Sequence, residues 1–187
     1  MKRIAIFASG SGSNAERIST YFADNQAVSI ELFLSNNPIA GVIERGRRLG
    51  IPTVLFDKKT FTQTDKIVYL LQDQAIDLVI LAGFLWLIPE NLVKAFPDKI
   101  INIHPALLPK YGGKGMWGHF VHEAVVAAND TESGITIHYV NEHYDEGKVI
   151  FQTKCVVLPT DSADDVARKV QALEYQYFPE VIHQLLQ

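Results

Sequence analysis

Short apolar runs alternate with helix-period stretches along the first hundred residues. Ile4 to Ala8 predicts a strand that meets a Gly/Ser turn, and Asn14 to Phe22 predicts a helix capped by Ser13 or Asn14. The alternation continues. Ile30 to Leu34 reads as a strand, Ala40 to Leu49 as a helix stopped by Gly50, and Thr53 to Phe56 as a third strand. Thr64 to Gln74 is a helix. Leu78 to Ala82 is a continuous apolar run, the pattern of a strand buried on both faces. Pro89 suits the first turn of a helix running to Ala95, and Ile100 to Ile103 is the fifth strand. Strand–helix units repeated in this way predict an α/β fold with an open, mostly parallel sheet covered on both faces.

The second part of the chain has another rhythm. Leu107 to Gly115 is rich in Pro and Gly and predicts a loop, followed by a helix over Met116 to Ala128. Gly134 to Val140 alternates with period two. Val149 to Leu158 is a further strand, set to pair antiparallel with it across the Asn141–Gly147 loop. Ser162, with Asp165 three residues on, opens a last helix carrying Val166, Val170, Leu173 and, after Pro179, Val181, Ile182 and Leu185.

At 187 residues without a linker, repeat or low-complexity tract, the chain reads as a single domain, 1–187. Seventeen Lys and Arg against 21 Asp and Glu give a net charge of -4, which argues against broad nucleic-acid binding. The one cysteine excludes an internal disulfide and fits a reducing cytoplasm. No apolar run reaches the length of a membrane span, so no membrane association is expected.

Three stretches carry candidate chemistry. Gly10-Ser11-Gly12-Ser13-Asn14-Ala15 follows a strand and opens a helix, matching the G-x-G-x-x-A form. Such a loop is an ordinary turn and cap, a phosphate cradle with Ser9, Ser11 and Ser13 as further donors, or part of a dinucleotide site. The dinucleotide reading lacks its ribose-binding carboxylate, since the second strand ends in Leu34-Ser35-Asn36-Asn37. Asn102 and His104, two apart on the fifth strand, point to one side at its carboxyl end, where they are either ordinary polar caps of a strand end or an amide and an imidazole that stabilise an oxyanion and move a proton. Asn141 to Gly147 is either a solvated hairpin or the source of a carboxylate, Asp145, that orients an imidazole and raises its pKa. Gly147 gives that loop freedom to bend. His119 and His122 have helical i,i+3 spacing, yet no H-E-x-x-H or Cys cluster accompanies them, so no metal is expected and they read as surface or packing residues. Cys155 reads as a strand filler.

In combination, Gly10-Ser11-Gly12-Ser13-Asn14, Ala82-Gly83-Phe84, Asn102-Ile103-His104-Pro105 with Leu107-Leu108-Pro109, and Asp145-Glu146-Gly147 resemble the phosphoribosylglycinamide formyltransferases, from Ile4 to about Leu186. The resemblance implies a three-layer Rossmann-like formyltransferase fold with a mostly parallel seven-stranded mixed sheet. It implies formyl transfer from 10-formyltetrahydrofolate to the amine of glycinamide ribonucleotide, the third step of purine biosynthesis, without a metal. Gly10, Ser11, Gly12, Ser13 and Asn14 would hold the substrate phosphate, Glu174 would bind substrate, and Asn102, His104 and Asp145 would be catalytic. Folate would lie along Leu85, Trp86, Leu87 and Ile88 and along Asn141, Glu142, His143, Tyr144 and Asp145. Trp86 stands where many members carry an arginine and offers stacking or apolar contact instead. The partners would be the two small molecules, with the chain a monomer or homodimer. Alternatives are a folate-dependent formyltransferase acting on a sugar nucleotide or aminoacyl-tRNA, an NAD-dependent reductase, and a non-catalytic nucleotide-binding regulator.

Overall fold

A computed structural model describes residues 1–187. Seven strands form a sheet in the order β3-β2-β1-β4-β5-β6-β7. The chain divides into two compact units, Met1–Asn102 and Ile103–Gln187.

In the first unit β1 (Lys2–Phe7) pairs in parallel with β2 (Val28–Ser35) and β4 (Leu78–Leu81). Strand β3 (Thr53–Leu55) joins β2, and β5 (Ile100–His104) joins β4, again in parallel. Ile4 to Phe7 and Leu78 to Leu81 are buried at every position. Consecutive side chains of a strand point to opposite faces, so both faces are covered and a three-layer arrangement follows. Helix α1 (Ser13–Tyr21) packs on α2 (Gly41–Leu49), and α2 packs on β2 and β3. Gly50 ends α2 in left-handed geometry, as its position predicts.

Two expectations in this unit need correction. Gly12, not Ser13 or Asn14, occupies the cap of α1, with φ 74° and no side-chain cap bond. A left-handed cap suits glycine, and a Cβ there would lie 2.6 Å from Cβ of Val42. A helix absent from the sequence reading, α3 (Lys58–Gln63), precedes α4 (Lys66–Asp73) and α5 (Glu90–Ala95). Its one buried residue, Phe61, gives no periodicity to detect. The helix is held by the Asp57 cap, which accepts from the Thr60 N–H at 2.7 Å, and by Phe61. Phe61 joins Phe7, Phe56, Phe84 and Trp86 in a cluster of edge-on, tilted and stacked rings.

In the second unit β6 (Glu132–Tyr139) and β7 (Val149–Val156) pair antiparallel, making the sheet mixed. Helix α6 (His119–Ala127) starts three residues later than its apolar pattern suggests, after Gly118 at φ 52°. Helix α7 (Ala163–Leu185) opens with the expected capping box, Ser162 to Asp165, and runs on through Pro179. It packs on β6, β7 and α6. No helix is long and apolar enough to cross a membrane.

Candidate active site

The glycine loop in the first unit owes its shape to α2. The Gly10 carbonyl accepts from the Val42 N–H at 3.2 Å, and the Ser11 carbonyl accepts from Nε of Arg45 at 2.7 Å. Arg45 is itself paired with Glu16 of α1, which also holds Arg48. Two of the loop's carbonyls are thus held on α2, and the loop leads directly into the start of α1. A glycine loop at a helix start is the kind of segment in which backbone N–H groups can meet an anion. Ser9 does not join it. Its buried hydroxyl donates to Oδ1 of Asn36 at 2.7 Å and accepts from the Leu85 N–H at 3.0 Å, so it ties three loops together and is not an anion donor. The same bond occupies Asn36.

Leu85 to Ile88 begins at that hydrogen bond. Leu85 is exposed and Ile88 is buried. Trp86 packs against Phe56, Phe61 and Phe84, and the Lys58 ammonium lies 4.5 Å from its ring centroid. A cation is therefore present beside Trp86, carried by the helix that the sequence reading missed.

Strand β5 carries Asn102, half-buried, and His104, 4% exposed. Within the second unit Asp145 comes to His104, with Oδ1 lying 3.5 Å from Nδ1. The same oxygen lies 3.6 Å from Nε2 of His138, an imidazole 2% exposed that the sequence reading left out of the site. Oδ2 of Asp145 accepts from the Gly113 N–H at 3.0 Å. Asp145 holds φ 56°, a left-handed backbone that costs a non-glycine residue about 1–3 kcal/mol.

Each imidazole has its outer nitrogen on a carbonyl. Nε2 of His104 lies 2.7 Å from the Tyr111 oxygen, and Nδ1 of His138 lies 2.8 Å from the Tyr139 oxygen. Carbonyls only accept, so both outer nitrogens carry hydrogen. The inner nitrogens then face one carboxylate, and a proton taken up by the cluster can pass among the three groups. Such a cluster is a coupled proton store. Gly147 serves this geometry by closeness and not by flexibility: a Cβ there would lie 1.6 Å from the Tyr139 oxygen that holds His138.

Burial is the strongest influence on His104 and lowers its pKa; Asp145 and the Tyr111 carbonyl pull it up but do not prevail, and His138 adds to the lowering. The expectation that Asp145 raises the imidazole pKa therefore holds for its own contribution and fails for the net. Burial pushes Asp145 up, but His138, His104 and the Gly113 N–H together hold it below the ordinary carboxylate value. The pair enters neutral pH as a carboxylate beside a largely neutral imidazole.

His122 on α6 is also buried, and burial first, then His119 and His104, push it down from 6.5 to about 4. The unfolded chain takes up this proton below about pH 6.5 while the folded chain refuses it to about pH 4. Folding stability contributed by His122 is thus present above pH 6.5 and lost as pH falls through that window. The lowered His104 acts in the same sense. Denaturant midpoints measured from pH 7 down to 4.5 should fall, and His122→Gln, which cannot titrate, should flatten the decline. Constant midpoints would contradict this burial of neutral histidines.

His119 is exposed and pairs with Glu123 and Asp164. Glu174 is half-buried on α7. In the 141–144 stretch, the His143 N–H donates to Oδ1 of Asn141 at 3.0 Å, shaping the approach to Asp145. Burial raises the Cys155 thiol, as suits a filler. Tyr111, Gly113 and His138 were missed. For His138 a signal existed: a polar residue within an alternating strand whose two faces are both buried.

Comparison with known proteins supplies the family. The sequence model described as formyl transferase matches residues 2–182. The chain is 40% identical to the chloroplastic phosphoribosylglycinamide formyltransferase of Arabidopsis thaliana over 97% of its own length and spans 64% of that protein. It is 37% identical to the Bacillus subtilis phosphoribosylglycinamide formyltransferase, covering 100% of this chain and 95% of that one. The crystal structure of the Bacillus halodurans phosphoribosylglycinamide formyltransferase superposes with a TM-score of 0.89 at 36% identity, covering 100% of this chain and 96% of that one. Similarity of this extent, in sequence and in fold, means that the chain belongs to the phosphoribosylglycinamide formyltransferase family.

Proposed function

We propose that the chain, acting as a single catalytic domain over 1–187, transfers a formyl group from 10-formyltetrahydrofolate to the amine of 5′-phosphoribosylglycinamide. The observation that carries this reading is the Asp145 carboxylate held between the imidazoles of His104 and His138. Amide formation from an amine releases a proton at one nitrogen and requires one at another, and this cluster is built to carry it.

The neutral acceptor amine attacks the formyl carbon, forming a C–N bond as the carbonyl π pair moves to oxygen. Asn102 donates its amide N–H to that oxyanion, a contact worth roughly 2.7–4 kcal/mol in the transition state. Asp145 and His104 receive the amine proton, through a water where the reach requires it, and return it to the folate nitrogen as the old C–N bond breaks. His104 offers its Nε2–H to the oxyanion only by giving up the Tyr111 carbonyl. Gly10 to Asn14 seat the ribonucleotide phosphate on the N–H groups of the loop. Glu174 binds the acceptor. Leu85 to Ile88 and Asn141 to Asp145 take the folate, and Lys58 beside Trp86 supplies the cation for an anionic folate tail. The reaction is placed in the cytoplasm, with the chain a monomer or homodimer.

The test is spectrophotometric: the folate donor is offered with 5′-phosphoribosylglycinamide and with other amines, and release of tetrahydrofolate is followed. Turnover restricted to another amine would overturn the acceptor assignment. Calorimetry with NAD in place of folate should show no comparable binding. For the phosphate seat Gly10→Val is the sharper variant, because nothing lies within 4 Å of a Cβ there and the fold should tolerate it, unlike Gly12→Val. It should raise KM for the ribonucleotide at least about tenfold, roughly 1.4 kcal/mol, and leave KM for folate unchanged. An unchanged nucleotide KM would remove the phosphate from this loop.

A further inference from the structure

We infer that Asp130, on the turn after α6, is a positioning residue that sets the catalytic imidazole and carboxylate through the loop before α6. Two backbone groups of that loop touch the catalytic pair: the Tyr111 carbonyl accepts from His104 at 2.7 Å, and the Gly113 N–H donates to Asp145 at 3.0 Å. The loop therefore fixes both members of the pair, and whatever fixes the loop fixes them.

Asp130 is that anchor. Its Oδ1 and Oδ2 accept from the Lys110 ammonium at 2.7 and 2.6 Å, and Oδ2 also accepts from the Tyr111 hydroxyl at 2.7 Å. Lys110 further lies 5.1 Å from the Tyr111 ring centroid. A lone exposed ion pair contributes little, but here one carboxylate joins two consecutive loop residues in a network. The network also accounts for the backbone. Tyr111 holds φ 57°, left-handed and unfavourable for an aromatic residue, and such geometry persists where several contacts over-determine it. Tethering the Tyr111 side chain to Asp130 turns its carbonyl onto His104. In that position the carbonyl requires hydrogen on Nε2, leaving Nδ1 to exchange a proton with Asp145.

This inference rests on the proposed formyl transfer only for its kinetic arm. The spectroscopic arm needs no substrate. In the full-length protein, ¹⁵N NMR of the His104 ring should show hydrogen on Nε2 at neutral pH. Asp130→Ala should shift the ring towards a mixture of tautomers and change its titration midpoint, with Tyr111→Phe moving it in the same direction and Asp130→Glu restoring part of the native signal. With both substrates, Asp130→Ala should lower kcat by about 10- to 100-fold while KM for each stays within about twofold, because the groups are misplaced and not removed. Unchanged His104 resonances in a folded Asp130→Ala protein would overturn the inference, as would a fall in kcat with those resonances unmoved. If the native protein proves inactive towards these substrates, the proposed reaction fails while the ring signals still decide the role of Asp130.

Discussion

Asp145→Asn is expected to lower kcat by about 10²–10⁴ with little change in substrate binding. The substitution is conservative for the fold. Asparagine tolerates the left-handed backbone at φ 56°, and its carbonyl can still accept the Gly113 N–H. What disappears is the charge and the basicity between two buried imidazoles. His104 should then be harder still to protonate, because Asp145 is the main influence that raises its pKa. The measurement is a double-mutant cycle with His104→Ala on kcat, both substrates saturating and folding checked for each protein. Because the proposed reaction joins the two side chains in one proton carrier, the double variant should be little worse than the poorer single one. Fully additive losses would show independent roles, and an active Asp145→Asn enzyme would remove Asp145 from the mechanism.

Asn102→Ala should lower kcat by about 10²–10³ and leave both KM values nearly unchanged. The reasoning differs from that for Asp145. Asn102 carries no charge, and its proposed work is a hydrogen bond that strengthens only as negative charge appears on the formyl oxygen. The Nε2–H of His104 already has a carbonyl partner at 2.7 Å, which it must give up before it can serve the same oxygen. Near-normal kcat in a folded Asn102→Ala protein would move the oxyanion to other donors, with His104 first in line.

Much of the fold was legible because local patterns and tertiary demands agree. The continuous apolar run at Leu78–Leu81, the Gly50 stop and the Ser162–Asp165 capping box each follow from a few adjacent residues, and each is present. Failures occur where a distant partner decides. Helix α3 depends on one ring, Phe61, finding four others. Gly12 caps α1 because Val42 leaves room for nothing larger. Ser9 looked like an anion donor until Asn36 and Leu85, far along the chain, claimed its hydroxyl.

The candidate chemistry divides in the same way. Local sequence was enough for the α/β class, the Gly10–Asn14 glycine loop, the placing of Asn102 and His104 two apart on one strand, and, through its resemblance, the family. All of these are properties of neighbouring residues or of motif spacing. Long-range packing was needed to place Asp145 beside two imidazoles, to bring His138 into the cluster, and to set Tyr111 against both His104 and Asp130. It also decided the sign of the His104 shift, because desolvation depends on everything packed around a ring, whereas the sequence reading could weigh only the one carboxylate it had paired with that ring.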